Sequence, residues 1–216
     1  KREPIKTEDF DAVTSGKVIL LGEHSVVYGR HAIAVPVPLN IRVKVEEADN
    51  GVLLMIPSWG VEYRLDKKPE ERQSFEKPAA LILEKMNLSH TGMKIEVFSD
   101  IPRGMGLGGS AVIAVSIIKA LNNHFKMNLT EEEINKMAYE SEKIAHGNPS
   151  GIDNTIATYG HPIIYKKGET ALKESLQIKK PFDLVLAFSK SEGLTAKTVA
   201  HVRSQWKENQ EMYEGV

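Results

Sequence analysis

The chain has 216 residues, 41% of them hydrophobic and 26% charged, the profile of a globular protein of one or two domains with enough length to bury a core. A formal net charge of −1 leaves no basic excess to neutralise a phosphate backbone, which argues against nucleic acid as a primary partner, though a few local cations would still serve a small anionic substrate. With no cysteine there is no disulfide, thiolate nucleophile, Cys-ligated zinc or iron–sulfur cluster.

No apolar stretch approaches the ~20 residues that a membrane helix needs. The longest, 111–118, is interrupted by Ser116 and closed by Lys119, so no membrane partner is expected. Lys1-Arg2-Glu3-Pro4 carries charge without an apolar run, unlike a secretory signal, and a chain without disulfides fits the cytoplasm.

In chain order, residues 18–21 and the alternating 41–46 read as strands on either side of a glycine-punctuated segment, 22–29. Residues 52–56 and 61–65 form an expected hairpin around Pro57-Ser58-Trp59-Gly60. The charged stretch 68–87 has apolar positions at helical spacing, and 93–98 alternates as another strand. From Ser110 the pattern becomes a long apolar helix to about Phe125. Thr130, with Glu133 three residues on, offers a capping box for a second helix to about Ala145. The segment 146–153 breaks that helix. Runs at 156–159 and 162–165 read as strands, 183–189 as a buried strand, and 195–208 as a helix opening a further unit. There is no internal repeat and no low-complexity tract.

Gly104, Gly106, Gly108 and Gly109 fall within six residues, just before the first long helix. Glycines there let the backbone fold tightly and bring its N–H groups to an anion, and the helix N-terminus adds partial positive charge. Phosphate binding is therefore expected, against the plainer reading of a tight turn. The spacing satisfies the dinucleotide pattern G-x-G-x-x-G, but the acidic residues some 20 positions on, Glu131 to Glu133, open a helix rather than end a strand. A Walker loop needs a lysine before Ser110, where Gly109 stands, and the protein-kinase triplets His-Arg-Asp and Asp-Phe-Gly do not occur.

Three segments, in order, resemble the GHMP small-molecule kinases. The run Pro102-Arg103-Gly104-Met105-Gly106-Leu107-Gly108-Gly109-Ser110-Ala111 is similar to that family's P-x-x-x-G-L-G-S-S-A loop. Gly16-Lys17-Val18-Ile19-Leu20-Leu21-Gly22-Glu23-His24-Ser25-Val26-Val27-Tyr28-Gly29 resembles the first motif of its mevalonate kinases. His146-Gly147-Asn148-Pro149-Ser150-Gly151-Ile152-Asp153-Asn154 resembles the segment bearing their catalytic aspartate.

The resemblance implies an α+β GHMP kinase fold. Residues 1–178 would form an ATP-binding domain related to ribosomal protein S5 domain 2, and 179–216 would begin a ferredoxin-like C-terminal domain. It implies ATP and Mg²⁺ as cofactors and phosphorylation of the 5-hydroxyl of mevalonate, in isoprenoid biosynthesis, and it leaves room for a homodimer. By resemblance, Gly104, Gly106, Leu107, Gly108, Gly109, Ser110 and Ala111 hold the nucleotide, and Ser110 with Glu142 takes the metal. Asp153 and Lys17 are the catalytic pair: the aspartate faces the acceptor hydroxyl, and the lysine stabilises charge on the γ-phosphate. Glu23, His24 and Ser150 line the acceptor pocket.

Each has a plainer reading. Ser110 can be a helix cap, Glu142 a solvated carboxylate, Asp153 and Ser150 turn formers, and His24 a structural histidine. The chain departs from the family at Gly109, where a first serine is usual, and at Thr14-Ser15, where Ala-Pro is usual. Residues 166–216 do not supply the family's third, glycine-rich motif, so the chain reads as a fragment of a longer enzyme. Competing expectations are a phosphomevalonate, galactose or homoserine-type acceptor, or a non-catalytic nucleotide-binding unit. Lys17, Ser110, Glu142 and Asp153 together argue against the last.

Overall fold

The computed structural model describes residues 9–72, 76–168, 172–187 and 195–214. The Lys1–Pro4 run and parts of the 68–87 and 183–189 expectations lie outside them. Strand β1 (Ala12–Leu21) is followed by a short 3-10 turn (Ser25–Tyr28) and pairs antiparallel with the long β2 (His31–Glu47). Along β2, Ile41, Val43 and Val45 are buried while Arg42 and Lys44 are half-exposed, the period of two that the sequence carries. β3 (Val52–Ile56) and β4 (Val61–Arg64) make the expected hairpin. β5 (Met93–Ser99) lies between β3, to which it is parallel, and the far end of β2. β6 (Ile163–Lys166) pairs with the start of β2, and β7 (Leu172–Ser175) with β6. The sheet order is β4-β3-β5-β2-β6-β7, with β1 along the other edge of β2.

The β1–β2 ladder has one break that matters for the site. Ser15 pairs with Asn40 but Gly16 with Val37, so Pro38 and Leu39 bulge out of β2 just before the position opposite Lys17. Proline, which has no N–H, costs a ladder least at such a bulge. Gly16 leaves little room for a side chain here: a Cβ would lie 3.0 Å from Ile101 Cδ1 and 3.2 Å from the Leu39 carbonyl oxygen.

Helices α1 (Glu76–Lys85), α2 (Gly109–His124), α3 (Glu131–His146) and α4 (Ile152–Tyr159) pack together against the sheet. Apolar on nearly every side, α2 is the central one: Ala111, Val112, Val115, Ile118 and Leu121 are fully buried between β1, β2 and the other helices. The capping box of α3 is present, with Thr130 Oγ1 accepting from the Glu133 N–H at 3.3 Å and the Glu133 carboxylate accepting from the Thr130 N–H at 2.8 Å. Helices α5 (Thr195–Glu208) and α6 (Gln210–Glu214) follow.

Three expectations are corrected. Residues 156–159 are helical, not extended, because Gly151 at φ 88° starts α4 and Gly160 at φ 68° stops it. Ile152 and Ile156, four apart, then share one buried face; a four-residue apolar run does not reveal its own period. Residues 183–187 form no strand, and Leu184 and Val185 are 43% and 89% exposed. An apolar run without a neighbouring ladder has nothing to pair with. Among the described residues of 68–87 the α-helix is α1, with a 3-10 turn at Pro69–Glu71 before it.

Candidate active site

Lys17 sits in β1 beyond the bulge, only 4% exposed, where an ammonium without a counter-charge would be costly. Its Nζ lies 2.9 Å from Oδ1 of Asp153, in the first turn of α4. That oxygen is closed to solvent and no hydrogen-bond donor is aligned with it, so the contact is ionic. The Asp153 side chain as a whole remains 34% exposed, so the carboxylate is paired on one side and reachable on the other.

The turn before Asp153 is fixed by its neighbours. A Cβ at Gly151 would fall 2.5 Å from the Tyr165 hydroxyl and 3.3 Å from the Tyr139 ring. The Tyr165 hydroxyl donates to the Ser150 carbonyl at 2.9 Å, and Lys167 Nζ donates to Asn148 Oδ1 and the Pro149 carbonyl, both at 2.8 Å. Burial, with a smaller effect of Tyr139, pushes the Tyr165 phenol up to about 12, which keeps it a neutral donor. At the other end of α4, Lys119 Nζ donates to the Thr158 carbonyl at 2.6 Å, and burial lowers its pKa.

The glycine segment closes over this pair. Gly104, Gly106 and Gly108 all have positive φ, at 74°, 72° and 72°, and α2 starts at Gly109. Gly108 is the tight point: a Cβ would stand 3.0 Å from Lys17 Cε and 3.6 Å from Asp153 Cβ. The Leu107 carbonyl accepts from the Lys17 N–H at 3.3 Å, and the Leu107 side chain is buried in the core, so loop and strand are stitched together. The side chains of Leu107 and Ala111 both point into the core, and each has only backbone groups to offer a phosphate. The amino end of α2 therefore opens beside Lys17, a suitable place for an anion.

Ser110, in the first turn of α2, donates to Glu142 Oε1 of α3 at 2.5 Å. Glu142 is 5% exposed, so the solvated-carboxylate reading does not hold, and His146 Nε2 lies 3.7 Å from its other oxygen. Burial raises the Glu142 pKa; the Ser110 hydrogen bond and His146 oppose this, and the charge of Asp153 adds to it. The Ser110–Glu142 pair stands near the Lys17–Asp153 pair, since Gly108, two residues before Ser110, lies against both Lys17 and Asp153. A buried carboxylate beside a hydroxyl fits a hard divalent cation that keeps waters and phosphate oxygens in its shell.

Glu23 and His24 follow the end of the strand that carries Lys17. Gly22 makes that turn at φ 82°, where a Cβ would lie 2.2 Å from the His31 carbonyl oxygen. Glu23 is exposed. His24 has φ 65°, and its Nε2 is closed to solvent without a partner. The Ser150 hydroxyl accepts from the Ile152 N–H at 3.3 Å, so the turn already uses it. Tyr165, which holds the turn before Asp153, went unmarked in the sequence because it falls on an ordinary buried position of an alternating strand.

Residues 74–161 match the family described as "GHMP kinases N terminal domain". The chain is similar to a mevalonate kinase of Pyrococcus abyssi, 34% identical over 220 residues, covering 95% of this chain and 64% of the relative. It is also similar to a mevalonate kinase of Thermococcus sibiricus, 33% identical over 219 residues, covering 95% and 65% respectively. The chain thus spans just under two thirds of the length of these relatives. Among solved structures it resembles L. major mevalonate kinase in complex with R-mevalonate, with a TM-score of 0.71 and 26% identity, over 94% of this chain and 63% of that one.

Proposed function

Since this chain belongs to the GHMP kinase family, we propose that it carries the nucleotide-binding and catalytic half of an enzyme that phosphorylates the 5-hydroxyl of mevalonate, giving 5-phosphomevalonate in cytoplasmic isoprenoid biosynthesis. The observation that carries this reading is the ion pair of buried Lys17 with Asp153, set against the glycine loop and near the Ser110–Glu142 pair. In our reading residues 1–178 are the ATP-binding domain and 179–216 the opening of a second.

Asp153 accepts the acceptor's hydroxyl proton as that oxygen bonds to the γ-phosphorus and the bond from phosphorus to the β–γ bridging oxygen breaks, with ADP leaving. Lys17 holds the aspartate in place and stabilises the negative charge on the transferring group, in a position too buried for water to screen it. The loop N–H groups and the amino end of α2 orient the phosphates. Ser110 Oγ and the Glu142 carboxylate would hold Mg²⁺, which supplies charge neutralisation at the phosphate oxygens.

The test is ADP release by the 216-residue chain with Mg·ATP and mevalonate, compared with no acceptor and with galactose. Mevalonate-dependent release that falls at least a thousandfold in Asp153→Asn is expected, the order of a lost general base together with a lost electrostatic contact. Equal release with galactose, or a rate indifferent to Asp153→Asn, would sink the assignment.

A further inference from the structure

Helix α5 reaches back to the turn that follows β1. Its half-buried positions Val202, Gln205 and Trp206 recur at i, i+3 and i+4, so one face turns inward. On that face the Trp206 ring lies 5.7 Å from the Tyr28 ring, inclined at 31°. Tyr28 lies 5.6 Å from the His24 ring, inclined at 59°. Both separations are within the range where aromatic rings attract.

At the inner end of this row, His24 has two features that the fold does not account for. Its φ of 65° places a non-glycine residue in the left-handed region, and its Nε2 is sequestered with no partner. A strained residue with an unused, buried ring nitrogen is held ready for a ligand group. Tyr28 gives weak support by itself, since it ends a four-residue turn and is 39% exposed. The Trp206 ring gives it a second aromatic neighbour.

We propose that Trp206 is a positioning residue for the acceptor: by packing on Tyr28 it fixes the His24 ring, whose Nε2 then hydrogen-bonds a hydroxyl or carboxylate oxygen of the small hydroxy acid. The proposal rests on the acceptor reading above. Trp206 touches neither substrate nor reacting atoms and acts only through Tyr28. It ties an element near residue 200 to the amino-terminal turn, so acceptor affinity depends on how α5 is seated.

The test uses the 216-residue chain with ring-labelled histidine, the His24 resonance being identified by its loss in His24→Gln, in Trp206→Ala and Trp206→Phe. Without any ligand, Trp206→Ala is expected to shift and broaden the His24 resonance, while Trp206→Phe, which keeps a ring, leaves it close to its original place. Mevalonate affinity is expected to fall about tenfold in Trp206→Ala and to recover largely in Trp206→Phe, with Mg·ATP affinity the same in all three chains. A His24 resonance indifferent to Trp206→Ala overturns the proposal. So does an equal loss of mevalonate and Mg·ATP affinity, the mark of general loosening. If His24 responds to Trp206→Ala but mevalonate does not perturb it in the unsubstituted chain, the acceptor role of His24 fails. ADP release then judges the kinase reading separately.

Discussion

Gly108 meets two constraints at once, a φ of 72° and a Cβ position 3.0 Å from Lys17 Cε, whereas Gly106 has the same φ and nothing within 4 Å. Alanine at either position costs about 1 kcal/mol of backbone strain, but only at 108 does it also push on the lysine that pairs with Asp153. Gly108→Ala is therefore expected to lower turnover at least tenfold more than Gly106→Ala, read by ADP release; equal losses would mean that Lys17 is not displaced. Glu142 works in the opposite sense. Burial holds its pKa above the ordinary carboxylate value, so its contribution to stability is full below that ordinary value and is lost as pH rises through the folded-state pKa. Ionisation of this group therefore burdens the unliganded fold. Glu142→Gln should leave the metal-free chain at least as stable as the unsubstituted one, and should remove the stabilisation that Mg²⁺ adds, because only a group that binds the ion in the folded state gains from it. Thermal melts at pH 7 with and without Mg²⁺ check both; stabilisation by Mg²⁺ surviving in the variant would discard Glu142 as a ligand.

Among the elements, α4 was the least legible. Its apolar residues fall in runs too short to show a period, and its limits are set by two glycines whose positive φ values a sequence does not display. The long helices were legible because α2 buries apolar residues over four turns and α3 announces itself with a capping box. The site was legible for a different reason. Lys17, Ser110, Glu142 and Asp153 lie in motifs with chemical consequences, whereas the Tyr165 hydrogen bond and the Tyr28–Trp206 ring contact are visible only in the folded contacts. Tyr165 gives this a measurable form, since its phenol holds the turn that places Asp153. Its pKa rises from 10.0 to about 12, so the folded state favours the neutral phenol. That contribution is complete below pH 10 and is lost as pH rises through about 12, a two-unit gap corresponding to about 3 kcal/mol. Urea unfolding between pH 9 and pH 12 should show this loss in the unsubstituted chain and not in Tyr165→Phe, which should itself be about 1 kcal/mol less stable at pH 8 for want of the hydrogen bond. Parallel pH profiles for the two chains would rule the account out.

For the molecule as a whole, every buried residue among those described lies between Ala12 and Tyr165. That stretch contains strands β1 to β5, most of β6, helices α1 to α4 and all the groups assigned to phosphoryl transfer. The later segment is different in kind: the 183–189 run, described as far as 187, has the composition of a core strand, yet Leu184 and Val185 are 43% and 89% exposed, and Phe182 before them is 55% exposed. Phe182 and Leu184 line a groove of about 720 Å³ with Val35, Val37 and Leu39 of β2, beside the bulge that precedes Lys17. Reading the run as a buried strand followed from its residue types, and burial needs a partner surface that residue types cannot supply. Point substitutions distinguish the two parts. Ile95→Ala, at a fully buried position in β5, is expected to cost 2–5 kcal/mol from lost transfer energy and the cavity left behind, while Val185→Ala should stay within about 0.5 kcal/mol. Urea titrations of the two variants decide the point: a loss at Val185 comparable to that at Ile95 would mean that Val185 packs into a core in solution, and the buried-strand reading of 183–189 would be restored.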